Sequence, residues 1–147
     1  MKGTVTFHFL YKPVLLKNRN HLKRFIGTIF SKEGKQLEHL SYVFCSDEYL
    51  YQLNTTYLNH RTYTDVITFD LSEAKDLIIG ESYISIERVR ENGALLHTTF
   101  TNELHRVMFH SALHLCGYKD KTIKEVQQIR SKEDEYLTQY FVPRETI

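Results

Sequence analysis

Apolar and polar positions alternate in the first ordered-looking stretch of the chain, with Val5, Phe7 and Phe9 set between Thr4, Thr6 and His8. Side chains that point to opposite faces at every second residue produce this pattern, which predicts a β-strand over Thr4 to Leu10. The period then lengthens. Leu22, Phe25, Ile26 and Ile29 recur at three and four residues and give one apolar face to a helix over Asn20 to Ser31. Leu40 to Cys45 reads as a second strand, and Ser46, followed by Asp47 and Glu48, reads as the N-cap and acidic first turn of a second helix. Two β-rich runs, Asp65 to Leu71 and Asp76 to Ile86, flank the polar Ser72-Glu-Ala-Lys75 and predict a hairpin. Three helices follow, roughly Glu87 to Leu96, Asn102 to Cys116 and Thr122 to Tyr140, the last opened by the capping box Thr122-Ile-Lys-Glu125. Strands followed by clustered helices imply an α+β fold, a small mixed β-sheet of about four strands packed with about five helices.

Composition narrows the class without changing this picture. A chain of 147 residues with 41% apolar content, two prolines and six glycines fits one compact domain over 1–147, without linkers or low-complexity tracts. Cys45 and Cys116 lie in apolar contexts without a spacing partner, as buried free thiols of a reducing compartment would. No apolar run approaches membrane-spanning length and no signal-peptide pattern opens the chain, so a cytoplasmic protein without membrane contact is expected.

Charge adds an asymmetry. The first 35 residues hold eight Lys/Arg against Glu33 alone, a balance of +7, while the remaining 112 carry −6, and the two leave a net charge of +1. Lys12, Lys17, Arg19, Lys23, Arg24, Lys32 and Lys35 make this a basic region on an acidic body. Such a region is either the footprint for a polyanion such as RNA or an ordinary solvated helix face.

The sharpest chemistry lies in His110-Ser-Ala-Leu-His114-Leu-Cys-Gly117-Tyr-Lys-Asp120. Imidazoles at i and i+4 share a helix face and can grip one ion from successive turns. Gly117 is suited to a left-handed C-cap, and the reversal there can carry Asp120 back to the same ion. Three protein ligands leave a tetrahedral ion one position for water, the pattern of catalytic rather than structural zinc. Two histidines can also be satisfied core residues, but Val107, Phe109, Leu113 and Leu115 already supply that packing. Asp120 has the alternative of favouring the N-terminus of the next helix. Glu103, two turns before His110, either orients a ligand or serves as a surface or capping residue. His105 falls off the face of the His pair. His8, His21, His39 and His97 fit surface or strand positions, and His60 is either a loop residue or an RNA contact. Asp65 reads as a turn cap, while Thr68 and Ser85 are ordinary strand residues or phosphate donors at strand ends.

Further segments accompany this motif: Leu53-Asn54-x-x-Tyr57, Thr64-Asp65-Val66-Ile67-Thr68-Phe69, Gly80-Glu81-Ser82-Tyr83-Ile84-Ser85 and Glu103-Leu-His-Arg-Val107. In this order and spacing, from about Tyr49 to Tyr136, the chain resembles the YbeY family of bacterial metal-dependent endoribonucleases, the rRNA maturation factors. The resemblance implies hydrolysis of single-stranded RNA, 3′-end maturation of 16S rRNA and a part in ribosome biogenesis. The implied partners are rRNA and the small ribosomal subunit, with a ribosomal protein or ribosome-associated GTPase as a further candidate. It implies one divalent metal ion per chain, zinc first, on His110, His114 and Asp120. The family pattern ends in Gly-Tyr-Asp-His, where this chain has Gly117-Tyr118-Lys119-Asp120, so a carboxylate replaces the third imidazole and makes harder divalent ions more plausible. The family also has an Arg where this chain has Leu58. Arg61 is the catalytic candidate for that function, since a guanidinium suits a phosphate oxygen, and it is equally placed to be a surface loop residue.

Three other functions compete. A zinc metalloprotease of the His-Glu-x-x-His type needs its general base at the position of Ser111. A 2-His-1-carboxylate iron oxygenase has the ligand types of this site but is usually built on a β-barrel, which these elements do not form. A non-catalytic ribosome-assembly factor with a structural metal is kept open by the missing Arg.

Overall fold

The computed structural model describes residues 3–142. Strand β1 (Thr4–Phe9) leads to helix α1 (Arg19–Lys32), then β2 (Gln36–Cys45), α2 (Asp47–Leu58), β3 (Val66–Asp70), β4 (Leu77–Ser85), α3 (Ile86–Leu95), α4 (Phe100–Leu115) and α5 (Ile123–Phe141). One sheet runs in the order β1-β2-β4-β3, parallel from β1 through β2 to β4 and antiparallel between β4 and β3. This mixed four-stranded sheet with five helices is the expected α+β architecture. Among the described residues no helix is long and apolar enough to cross a membrane.

The alternation that predicts the strands also divides them between two cores. Val5, Leu40, Tyr42, Phe44, Ile78 and Ile84 pack with α1, α3 and α4 in the main core. On the opposite face Cys45, Ile67, Phe69 and Tyr83 pack with Leu50 and Leu53 of α2. Beyond the reach of α2, that face of β1 and β2 is a polar ladder in which Thr4 and Thr6 engage His39, and Thr6 also engages His8. Both histidines therefore have ordinary strand roles.

Local signals set the ends of the elements. Ser46 accepts the N–H of Tyr49, and the capping box of Thr122 and Glu125 closes in both directions. Strand β2 begins four residues before the expected Leu40, because a register irregularity lies between Leu37 and His39. Buried Leu37 and Leu40 consequently stand three apart rather than two or four, and the alternation is lost where the strand starts. Cys45 and Cys116 are buried free thiols, as expected, and burial pushes each up to about 12.

One glycine sets how closely α4 lies on the sheet. A Cβ at Gly80 of β4 would stand 2.6 Å from Leu115 Cδ1. Its absence lets the last turn of α4, which carries His114, rest directly on the strand.

Candidate metal centre

Helix α4 supplies two donors from one face. Thr99 caps it by accepting the N–H of Asn102, and Leu104, Met108, Phe109, Ala112 and Leu113 are buried against the core. His110 and His114 lie on the partly exposed side with ring centroids 4.4 Å apart. The helix ends in a Schellman motif, with the N–H of Tyr118 on Leu113 O and that of Gly117 on His114 O, each at 3.0 Å. Gly117 has φ +108°, and a Cβ there would meet nothing within 4 Å, so its role is conformational rather than steric.

This reversal returns Asp120 to the histidines. Its Oδ2 lies 3.1 Å from His114 Nε2 and 3.5 Å from His110 Nε2. One donor atom from each of the three residues falls within 4.8 Å of the others. A tetrahedral ion with bonds near 2.0 Å has donor–donor edges of about 3.3 Å, so the two carboxylate–imidazole distances already match one ion.

The opposite nitrogen of each ring is held. His114 Nδ1 donates to Tyr118 O at 2.9 Å, and His110 Nδ1 donates to Glu133 Oε2 of α5 at 2.5 Å. Protons kept on Nδ1 leave both Nε2 lone pairs toward Asp120, the tautomer a metal requires. Glu133 is buried, and its other oxygen accepts from Arg106 at 3.0 Å. Arg106 also reaches Asp134 at 2.6 Å. In the metal-free protein, burial works against the His110 imidazolium, but the hydrogen bond and charge of Glu133, with Asp120 and Asp65, outweigh it and raise the pKa. The donor set of two imidazoles and a carboxylate, with both tautomers fixed, fits a divalent cation.

A cavity of about 340 Å³ opens beside His110 and Asp120, lined also by Asp65, Glu103, Arg106, Arg130 and Glu133. Glu103 is buried rather than a surface residue, and its Oε1 has no hydrogen-bond partner among the described residues. Burial and the nearby Asp65 carboxylate raise its pKa. Asp65 sits on the cavity wall just ahead of β3, with its own pKa raised by burial.

Other residues singled out from the sequence hold the scaffold. Thr68 and Ser82 both bond the buried Ser111 hydroxyl, at 3.2 and 2.7 Å, which ties α4 to the sheet. Ser85 caps α3 and donates to Asp47. Buried Asn54 donates to Thr62 O at 2.8 Å and organises the loop after α2. Arg61 lies exposed in that loop and does not line the cavity. His105 is buried off the face of the His pair, bonded to Thr101 O. None of the seven basic residues of the N-terminal region lines the cavity. Arg19 and Lys23 instead cover Phe9 and Phe7, at 4.8 and 5.3 Å from the ring centroids.

Glu133 is the residue that sequence reasoning missed. Its signal is a carboxylate inside the apolar stripe of α5, between Ile129 and Leu137, where only a specific partner justifies a charge.

Fold and site together define an α+β domain with a His–His–carboxylate group that could hold a cation at the end of helix α4. The sequence model of the Endoribonuclease YbeY family matches residues 14–141, and the chain belongs to that family. It is 50% identical over 123 residues to the Endoribonuclease YbeY of Cytophaga hutchinsonii, covering 84% of this chain and 86% of that one. The Christiangramia forsetii protein of the same name is 40% identical over 141 residues, covering 96% of this chain and 97% of the relative. The solution structure of TM1509 from Thermotoga maritima is 28% identical, with a TM-score of 0.61 over 92% of this chain and 91% of that one. The family match reaches into the N-terminal third, beyond the motifs between Tyr49 and Tyr136.

Proposed function

We propose that this protein is a zinc-dependent endoribonuclease that hydrolyses single-stranded RNA, with the small-subunit rRNA as its substrate and cytoplasmic ribosome biogenesis as its setting. The observation that carries the reading is the convergence of His110, His114 and Asp120, with both imidazoles held in the ligand tautomer. His110, His114 and Asp120 would hold the ion, which lowers the pKa of a bound water and polarises a phosphate oxygen.

The chain's own residues do the rest. Glu133 and Tyr118 O keep the imidazole protons away from the reacting side, so each ring acts only as a ligand. Arg106 pairs with Glu133 at 3.0 Å and gives this buried carboxylate a cationic partner. Arg130 and Arg106 line the cavity among four carboxylates; Arg106 is held by Glu133 and Asp134, so the exposed Arg130 is the cation available there to a phosphodiester. The carboxylate of Asp120 in place of a third imidazole makes the centre harder and lets manganese or magnesium compete with zinc. A ribosomal protein or a ribosome-associated GTPase is the kind of partner that would present the RNA.

A protease reading loses support at Ser111. The position that would carry its general base is a buried hydroxyl bonded to Thr68 and Ser82. A non-catalytic assembly factor draws support from one observation, that Leu58 stands where the family has Arg while Arg61 does not line the cavity. Incubating zinc-loaded protein with a labelled single-stranded rRNA fragment separates these readings. Wild type cleaves and folded His114→Ala does not if the enzyme reading holds; equal activity of the two would overturn it.

A further inference from the structure

Another cavity lies away from the metal centre. It measures about 810 Å³ and is bounded by the loop after β1, the start of α1, the first turn of α4 and the end of α5. Lys17, Arg24 and Arg90 line it, together with His21, Phe100 and Tyr140, and among the described residues no Asp or Glu does. The three cations are exposed, and none is in an ion pair among the described residues.

Two further features give the groove a preference for phosphate and for flat rings. Helix α1 begins on its rim with Asn18 at φ 52°, with no side-chain cap and no acid in the first turn. The opening N–H groups and the positive end of the helix dipole are thus left to an outside acceptor. Tyr140 stacks against His21 and His105, each at 5.3 Å between centroids, and Arg90 lies 4.2 Å over the Phe100 ring. Cations interleaved with aromatic rings are the combination by which single strands are bound without regard to sequence.

We propose that this groove is a second RNA-binding site, which holds a single-stranded segment of the substrate by its phosphates and stacked bases while another segment occupies the metal cavity. The proposal rests on the ribonuclease reading for the identity of the polyanion. His105 on the groove and His110 on the metal centre share α4, five residues apart. At about 100° per residue they lie about 140° apart around the helix, so the two sites occupy different faces of it. The groove and the metal cavity have no lining residue in common. The basic N-terminal region thereby acts on RNA through Lys17 and Arg24 at a distance from the chemistry.

The test is fluorescence anisotropy with a labelled single-stranded oligouridylate in EDTA, where the metal centre is silent and the probe stays intact. Arg24→Glu/Arg90→Glu is compared with Lys75→Glu/Lys124→Glu, an equal charge change at exposed positions lining neither cavity. The groove variant should bind at least tenfold more weakly, with the slope of log affinity against log salt reduced by about 1.4, or about 0.7 per lost phosphate contact. The control should stay within about twofold of wild type. Equal losses in the two variants would reduce the effect to overall charge and overturn the proposal, as would no loss in the groove variant or no binding by wild type. Uridine 5′-monophosphate that binds as tightly as the oligonucleotide would make a free nucleotide the occupant and overturn the RNA assignment. Cleavage by zinc-loaded protein is read separately, so failure of the groove and failure of the nuclease reading give different results.

Discussion

Glu133 of α5 accepts the Nδ1 proton of His110 of α4 at 2.5 Å, and the same carboxylate is held from its other side by Arg106. The candidate metal centre is therefore built on one helix and oriented by another, so that metal binding there would be linked to α4–α5 packing. Truncating Glu133 to Ala is expected to weaken zinc binding about 10- to 100-fold. It also leaves Arg106 and His110 short of their acceptor, which should destabilise the metal-free protein by about 2 to 3 kcal/mol. Glu133→Gln keeps a carbonyl acceptor and should retain more of both. Competition for zinc against a chromophoric chelator, with thermal melts of each variant, measures the two effects.

Acid should oppose metal uptake. The His110 pKa is raised in the metal-free protein, since Glu133, Asp120 and Asp65 outweigh the cost of burial, so its proton persists above the usual imidazole range. A zinc ion bound there would have to displace that proton, and apparent affinity should climb with pH until the raised value is passed and then level off. The sign for stability is the reverse in the metal-free protein. The charged His110–Glu133 pair contributes fully below the unfolded imidazole value of about 6.5, and its contribution is lost as pH rises through the raised folded value. Melting temperatures of metal-free and zinc-loaded protein across this window should diverge as pH increases.

Gly117 should resist substitution for a conformational reason alone. At φ +108° with open space around its Cα, an alanine would meet no steric neighbour yet be strained, at a cost of about 1 to 3 kcal/mol. Relief of that strain moves the turn that carries Asp120. Gly117→Ala should thus lose zinc affinity together with stability, whereas a purely structural glycine would lose only stability.

The legible parts of this chain were those where a local rule acts alone. The His110/His114 spacing, the Gly117 stop and the capping box at Thr122 each depend on residues within one or two helical turns, and each stands where the sequence places it. Features set by distant partners were hidden. Glu133 looks like one more charge of an acidic helix until α4 is laid against it, and Asp65 looks like a turn residue until the cavity closes over it. Thr68 offered a hydroxyl to phosphate only while its partner, Ser111 on α4, was out of view. The irregularity between Leu37 and His39 removed the alternation that would have announced the start of β2.

Ser111 also yields a prediction. Its hydroxyl satisfies Thr68 and Ser82 in a fully buried position, so Ser111→Ala should cost about 1 to 2 kcal/mol while RNA cleavage continues. Ser111→Glu, which restores the protease spelling, should unfold the protein by burying a charge rather than create a peptidase. Denaturant melts and an RNA cleavage assay on the two variants check both statements.

The most direct test of the account follows the rate of RNA cleavage as zinc is returned to chelator-stripped protein, for wild type beside Asp120→Ala. A zinc-dependent nuclease should show no cleavage before zinc is added, a rate that rises to a break at one equivalent in wild type, and no such break in Asp120→Ala. Full activity in the stripped protein, or an unchanged titration in Asp120→Ala, would contradict that expectation.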